Sequence, residues 1–472
     1  MSTKPFTLNP NMHLHVVGIG GAGMSAIARV LLGQGFVVSG SDRQANQFTA
    51  VLQSQGATIY QGHAASNIAG AEALIISSAI PATNPEVAAA SAQGLPILKR
   101  SDFLGHLMAD RIGIAVAGSH GKTTTTGMVT QVLLEAEFDP TIIVGGALPS
   151  LGGNGRSGGG AYFVIEADEY DRMFLGLRPE ISIITNIGYD HPDIYPTEAS
   201  YLNAFRDFAK LLPEDGRLIL CGEDKGVQKL HRMLRQTSFE TTTYGVQESD
   251  QRNAPRYDFQ ALDCRPNQLG GTDFLVEQDN QILGLARLRV PGLHNVRNAL
   301  AAIVVGLDLG VDFMTISKAL MAFGGVGRRF QIKGQANQIT IIDDYAVHPT
   351  EIQVTLGTAK QQFPGQRLWA VWQPHTYSRT KQLLTEFSQS FKTADRVVAL
   401  DIYASREKET LGVDTSMVVN QMGHAHAVHI PQRQAAANYL AERVRPDDVV
   451  VTLGAGDGNM VGQWLLEKLQ ER

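Results

Sequence analysis

Short apolar runs, turns and amphipathic stretches alternate along the chain from residue 12 onward. Runs at 13–17, 36–39 and 73–76 predict strands, and apolar positions at helical spacing over 24–32 predict a helix between the first two. A second series follows: strands at 112–117, 141–144, 162–165, 181–185 and 217–220, with a helix over 123–137. From 257 to 290 the helical spacing lapses into short alternating strands, before a helix over 296–307 restores it. A third series places strands at 339–342, 368–372, 397–400 and 449–453, each followed by a helical stretch. Strand and helix in alternation are the pattern of parallel sheets covered by helices, so the expected fold class is α/β. Boundaries fall near Met108 and Val326, dividing the chain into domains 1–108, 109–326 and 327–472.

Length agrees with three domains: 472 residues at roughly 150 per domain. Lys and Arg number 40 against 46 Asp and Glu, a net charge of −6, which gives no basic footprint for nucleic acid. The two cysteines, Cys221 and Cys264, have no CxxC spacing, so neither a disulfide framework nor a zinc site is expected. The beginning of the chain lacks the apolar core of a signal peptide, and no run approaches the roughly 18 apolar residues of a membrane span. A cytoplasmic protein without membrane partners is the expectation. Glycine, at 48 residues, exceeds its usual share of about 7% and points to backbone that approaches ligands closely. Six of those glycines lie in the ten residues 151–160, which read as a mobile loop serving either as a long hairpin turn or as a substrate gate.

Gly18, Gly20 and Gly23 form G-x-G-x-x-G between the first strand and the first helix, where backbone N–H groups and the helix dipole favour a diphosphate. Asp42 follows 19 residues after the third glycine, so taken alone this pattern predicts NAD in a Rossmann-like domain. Gly118-Ser119-His120-Gly121-Lys122-Thr123 after the strand at 112–117 reads as an ATP phosphate cradle, shorter than the strict P-loop because Val116 stands where its first glycine would fall. In such a cradle Lys122 faces the β and γ phosphates and the Thr123 hydroxyl faces magnesium. Glu166-Ala167-Asp168-Glu169-Tyr170-Asp171 crowds carboxylates at a strand end, a repulsion that a hard cation among them would relieve. Asn186, Asp190 and His191 end the next strand, with His191 either at a second magnesium or bonded to a loop carbonyl. Further strand ends and turns carry His294-Asn295, Arg328-Arg329, Asp343-Asp344-Tyr345, and His375 with Arg379.

The order of these motifs resembles the Mur ligase superfamily of ATP-dependent amide-forming enzymes, from about Leu14 to Met460. G-I-G-G-A-G-M, G-S-H-G-K-T-T-T-T, E-A-D-E-Y-D, T-N-I-G-Y-D-H, H-N-V-R-N-A, G-G-V-G-R-R-F, D-D-Y-A-V-H-P-T-E, Q-P-H-T-Y-S-R-T and G-A-G-D carry the likeness. It implies a Rossmann-like N-terminal domain, a central P-loop ATPase-type domain with a mixed sheet, and a C-terminal Rossmann-like α/β domain. It also replaces NAD by a UDP-sugar. Gly18, Gly20, Gly21, Gly23, Asp42 and His63 become contacts of UDP-N-acetylmuramate. The implied reaction joins L-alanine to the lactyl carboxylate of that sugar through an acyl phosphate and a tetrahedral intermediate, a step of peptidoglycan precursor synthesis. The implied cofactors are ATP and magnesium.

By the same resemblance, Lys122, Glu166, His191, Arg328 and His348 are catalytic, and Thr123, Glu166 and His191 hold metal. ATP meets Gly118, Ser119, His120, Gly121, Lys122, Thr123, Thr124 and Asn186, with His294 and Asn295 at adenine, Arg329 at the phosphates and Asp343 at the ribose. Tyr345, His348 and Arg379 receive the amino acid. The base that deprotonates the amine stays open between His348, His191 and solvent. Val347 replaces the first of a histidine pair, Thr376 stands where some relatives have arginine, and 201–205 lacks the lysine that sister ligases carbamylate. The alternatives are a relative that attaches a ready-made tripeptide to the same sugar, a nicotinamide-dependent oxidoreductase, and a non-catalytic sensor. The expected assembly is a monomer or homodimer.

Overall fold

The computed structural model describes residues 6–247, 256–405 and 407–471. The chain divides into two compact units, Met1–Val326 and Gly327–Arg472.

The first unit carries two sheets. Its five-stranded sheet runs in the order Thr58–Gln61, Val37–Asp42, His13–Val17, Ala73–Ile76, Ile97–Lys99, with every neighbouring pair parallel. That order reverses direction at the central strand His13–Val17, so the crevice for a ligand opens at its carboxyl end. Strand His13–Val17 leads through the glycine turn into helix Ala22–Gly33, whose Met24, Ile27, Val30 and Leu31 are buried against the sheet at helical spacing.

The second sheet has ten strands. Its parallel centre includes Arg217–Cys221, Ile181–Ile184, Ile112–Ala117 and Tyr162–Glu166. At one end Phe259–Pro266, Thr272–Gln278 and Gln281–Arg287 turn antiparallel, as the alternating pattern of 257–290 predicts. The central strand Ile112–Ala117 is an unbroken apolar run because helices cover both faces.

The glycine-rich stretch departs from expectation. It contributes an edge strand, Gly153–Arg156, antiparallel to Thr141–Leu148, in place of a mobile loop. This strand lies on the first helix: Asn154 Nδ2 donates to Ala22 O (2.6 Å) and Ser25 Oγ (3.0 Å), and Arg29 Nη1 donates to Gly152 O (3.0 Å). A Cβ on Gly155 would press into the Ala26 backbone, and one on Gly158 or Gly160 into the carbonyls of 138–140. These glycines permit close packing of backbone on backbone.

The second unit has one six-stranded sheet in the order Gln331–Ala336, Ile339–Asp344, Asp448–Leu453, Arg367–Trp372, Arg396–Ala399, Ala427–His429, parallel except for its first pair. Trp369 and Trp372, three apart on one strand, are buried on opposite faces and anchor two separate apolar clusters. The Trp369 indole donates to Asp448 (2.9 Å). Among the described residues no helix is long and apolar enough to cross a membrane.

Candidate active site at two phosphate cradles

The central cradle is built by backbone geometry. Gly118 has φ +137° and Gly121, which precedes helix Lys122–Glu135, has φ +82°. A Cβ at Gly118 would overlap Thr185 Oγ1, and one at Gly121 would stand 2.7 Å from Asn298 Oδ1, so both positions require glycine. Asn186 clasps the loop from outside: its Oδ1 accepts from His120 N (2.9 Å), its Nδ2 donates to His120 O (2.8 Å), and its carbonyl accepts from Ser119 N (3.0 Å). Asn298, on helix Leu293–Asp308, accepts from Thr125 and donates to Asn295 Oδ1 (3.2 Å), while Asn295 in turn donates to Pro291 O (2.7 Å). Asn186 and the H-N-V-R-N-A helix therefore brace the cradle. His294, one turn before Asn298, remains partly exposed, as does Thr124 on the P-loop helix.

Inside this frame Lys122 Nζ lies against Glu169, 2.8 Å from Oε2 and 3.0 Å from Oε1, and also donates to the carbonyls of Gly118 and Ser119. Glu169 is 1% exposed. Burial alone would raise its pKa, but Lys122 and His191, whose Nε2 is 3.6 Å away, outweigh burial and hold it below the usual value. Burial likewise works against the Lys122 ammonium, but Glu169, Asp168 and Glu166 outweigh it and raise its pKa. Tyr201, in the stretch that lacks the sister ligases' lysine, donates its hydroxyl toward Glu169 (3.4 Å) and meets Ser119 Oγ (2.9 Å).

Thr123 Oγ1 donates to Glu166 Oε1 (3.0 Å), and Glu166 Oε2 accepts from Gly145 N (2.6 Å). Burial, opposed by Lys122, pushes the Glu166 pKa up, so this carboxylate lacks a full positive complement. Adjacent hydroxyl and carboxylate oxygens with charge to spare fit a hard divalent cation. The acidic motif does not converge on one point, however: among the described residues no group of three or more His, Cys, Asp or Glu could hold a metal. Glu169 is neutralised by Lys122, and Asp168 faces Arg100 (3.6 Å). Tandem left-handed residues Asp171 and Arg172, both at φ +53°, kink the helical segment Tyr170–Gly176 that follows. His191 is also left-handed (φ +55°). Its ring lies edge-on to Tyr170, and its Nε2 is 3.6 Å from Glu169 and 3.7 Å from Asp190.

The second cradle is the glycine turn of the five-stranded sheet. Gly18 (φ +81°) and Ile19 donate to Ser41 O, Gly20 N donates to Asp42 Oδ2 (2.9 Å), and Asn46 Nδ2 donates to Gly20 O (2.9 Å). Gly21 precedes helix Ala22–Gly33, and the Arg100 guanidinium lies on Gly23, where no Cβ would fit. Asp42 thus holds the turn in shape. His63 Nδ1 stands 3.0 Å from both Ser41 Oγ and Glu86 Oε2. Glu86 is fully buried, yet hydrogen bonds from His15, Ser41, Asn67 and His63 overcome its desolvation and hold its pKa down to about 2.

In the second unit, Arg328 (φ +60°) donates to Asp343 Oδ2 (3.1 Å), Gly454 O (2.6 Å) and Ala455 O (3.2 Å). Asp343, 2% exposed, also accepts from Thr452 (2.9 Å). The Arg328 and Arg329 guanidinium groups lie 5.3 and 5.2 Å from the centre of the Tyr345 ring, and Arg329 faces Glu351 (3.6 Å). His348 caps helix Pro349–Gln362 through Nδ1, which accepts from Thr350 N (3.3 Å), so its other nitrogen carries the proton when the ring is neutral. Arg379 Nη1 is 3.4 Å from His375 Nδ1, and the His375 ring stacks on Tyr403 at 5.9 Å. Between them Thr376, β-branched yet at φ +68°, marks a strained turn. Asn46, Glu86, Arg100, Glu169, Tyr201, Asn298 and Tyr403 are among the residues that had no role assigned from the sequence. For Glu169 a signal existed, since it lies inside the acidic motif.

Comparison with known proteins adds to this geometry. Residues 13–112 match the Mur ligase family catalytic domain, 116–306 the Mur ligase middle domain, and 328–456 the Mur ligase glutamate ligase domain. The UDP-N-acetylmuramate–L-alanine ligase of Geobacter sp. (strain M21) is 42% identical over 460 residues, covering 97% of each chain. That of Acetivibrio thermocellus is 39% identical over 469 residues, covering 98% of each. The crystal structure of UDP-N-acetylmuramate–alanine ligase from Thermotoga maritima is 29% identical and gives a TM-score of 0.82 over 98% of this chain and 99% of its own. Murein peptide ligase from Psychrobacter arcticus, 25% identical, gives 0.73 over 98% and 99%. Matched by family in all three segments and by relatives along nearly its full length, the chain belongs to the Mur ligase family.

Proposed function

We propose that this chain is an ATP-dependent, ADP-forming ligase that joins L-alanine to the lactyl carboxylate of UDP-N-acetylmuramate. The observation that carries the reading is the central cradle, with Lys122 and the Thr123–Glu166 pair at the carboxyl ends of two neighbouring parallel strands, in a chain whose 42%-identical relative bears that name. Residues 1–108 hold the UDP-sugar, 109–326 the ATP, and 327–472 the amino acid.

The carboxylate attacks the γ-phosphorus of ATP, giving an acyl phosphate and ADP. The alanine amine then adds to the acyl carbon, a tetrahedral intermediate forms, and inorganic phosphate leaves as the C–N bond remains. No enzyme nucleophile is needed, so the absence of one from the motifs is consistent with the chemistry. What the first step needs is neutralisation of two anions that repel each other. Lys122 supplies one charge after leaving Glu169 for the phosphates. Magnesium, held by Thr123 and Glu166, would shield the phosphate oxygens when bound. In the amino-acid unit Arg379 receives the substrate carboxylate as a charge-assisted pair. The acceptor for the amine proton is His191, solvent, or His348 once its Nδ1 gives up the Thr350 N–H that it caps.

Phosphate release should require protein, ATP, magnesium, UDP-N-acetylmuramate and L-alanine together. Release with a tripeptide in place of L-alanine, and none with L-alanine, would overturn this reading in favour of a peptide-attaching ligase. Saturable NADH binding with no response to the UDP-sugar would favour an oxidoreductase.

A further inference from the structure

Arg379, assigned above to the amino-acid carboxylate, stands on helix Tyr377–Gln382, which is six residues long. So short a helix has little stability of its own. Thr376, the residue before it, is β-branched at φ +68° and gives the helix no side-chain cap. The support comes from another segment. Glu407 lies beyond Arg396–Ala399, the parallel neighbour of the strand that leads into this turn. Its Oε2 accepts from the backbone N–H groups of Tyr377 (2.5 Å) and Ser378 (3.1 Å), and its Oε1 accepts from Ser378 Oγ. A carboxylate that takes two first-turn N–H groups and a hydroxyl replaces the missing cap with charge-assisted bonds, and it complements the positive end of the helix dipole. The same segment is tied to the turn by backbone: Thr376 N donates to Tyr403 O (2.9 Å), and Tyr403 N donates to Pro374 O (2.8 Å). The Tyr403 ring stacks on His375, whose Nδ1 is 3.4 Å from Arg379 Nη1.

We propose that Glu407 is a positioning residue of the amino-acid site, which caps helix Tyr377–Gln382 from outside and so fixes the direction in which Arg379 presents its guanidinium. This rests on the proposed function and adds a residue to it. Glu407 needs no contact with substrate. It acts by holding the strained turn at Thr376 in the geometry that aims Arg379. A guanidinium fork meets a carboxylate in one plane, so a rotation of the helix beneath it misaligns both bonds at once. Loss of Glu407 is therefore felt at the amino-acid carboxylate, and the ATP and UDP-sugar sites, which lie in the first unit, are spared.

The test is steady-state phosphate release by wild type, Glu407→Ala and Glu407→Gln, with each substrate varied in turn. Glu407→Ala should raise KM for L-alanine by a factor on the order of 10, the usual worth of a charge-assisted hydrogen bond, while kcat and the KM values for ATP and UDP-N-acetylmuramate stay within about twofold. Glu407→Gln, which keeps an acceptor oxygen and loses the charge, should recover part of the loss. Arg379→Lys supplies the control for the route. A lysine's flexible stem needs no aimed helix, so adding Glu407→Ala to it should raise KM for L-alanine less than about threefold. Should Glu407→Ala fail to fold, Ser378→Ala, which deletes one of the three bonds, should raise the same KM by about threefold. An unchanged KM for L-alanine overturns the inference. So do an equal rise in all three KM values and a tenfold rise that persists beside Arg379→Lys. Wild-type protein that releases no phosphate with L-alanine overturns the proposed function, and the inference with it.

Discussion

The two phosphate cradles of the first unit solve one problem in opposite ways. Around the P-loop, charge is neutralised in place: Lys122 rests on Glu169, Tyr201 and His191 approach the same carboxylate, and Asn186 locks the loop. Around the N-terminal glycine turn, Asp42 holds backbone, and among the described residues the adjacent cation, Arg100, has a carboxylate at 3.6 Å. A cradle that exchanges an internal counter-ion for its ligand offsets binding energy against a broken ion pair. A cradle whose cation stands 3.6 Å from its carboxylate has a weaker pair to break. The mild acidity of the chain makes this matter, since attraction for anionic substrates must come from a few placed cations and not from net charge.

The largest effect should come from removing the cation of the P-loop cradle: Lys122→Ala should lower phosphate release by a factor on the order of 10³ while leaving UDP-sugar affinity intact. Glu169→Gln should expose the difference directly. It strands a nearly buried ammonium and should cost about 3 kcal/mol in denaturant unfolding. The same pair sets a pH dependence. The Glu169 pKa is lowered on folding, so its contribution is present above the carboxylate's unfolded pKa and is lost as pH falls through the lower folded value. The Lys122 pKa is raised, so its contribution is full below the lysine's unfolded pKa and is lost as pH rises through the higher folded value. Wild-type stability should therefore be flat near neutrality and fall at both extremes, and Glu169→Gln should flatten the acid side. Equal acid slopes in both proteins would remove Glu169 from the explanation.

Gly23→Ala should be smaller and selective. Crowding the Arg100 guanidinium should raise KM for the UDP-sugar about tenfold, within the usual cost of overpacking, and leave KM for ATP unchanged. Asp42→Asn, which keeps an oxygen acceptor for Gly20 N and loses its charge, should raise the same KM only about threefold. A larger loss than that of Gly23→Ala would mean that Asp42 contacts substrate as well as backbone.

Much of this was legible in the chain. The G-x-G-x-x-G turn, the P-loop and the alternation of strand and helix are local in sequence, and the α/β class with its three sheets follows from them. The short edge strands Ile97–Lys99 and Ala427–His429, three residues each, left no periodic trace. The edge strand Gly153–Arg156 has no apolar pattern at all, since its packing is made by missing side chains. The same limit applies to the sites. Thr123 and Glu166 were brought together by the family resemblance alone, and Glu169 on Lys122, Glu86 on His63 and Arg100 on Gly23 are likewise meetings of distant segments. The crowding of carboxylates in E-A-D-E-Y-D suggested a foreign cation; the fold sets Glu169 against Lys122 and Asp168 against Arg100, and leaves Glu166 beside Thr123.

All three tryptophans, Trp369, Trp372 and Trp464, lie in the second unit, and two of them are fully enclosed on opposite faces of its sheet. Excitation at the red edge of protein absorbance therefore interrogates residues 327–472 alone, whereas circular dichroism sums over both units. A melt followed by both signals reports whether residues 1–326 and 327–472 lose their order together or in sequence, without a label or a truncation.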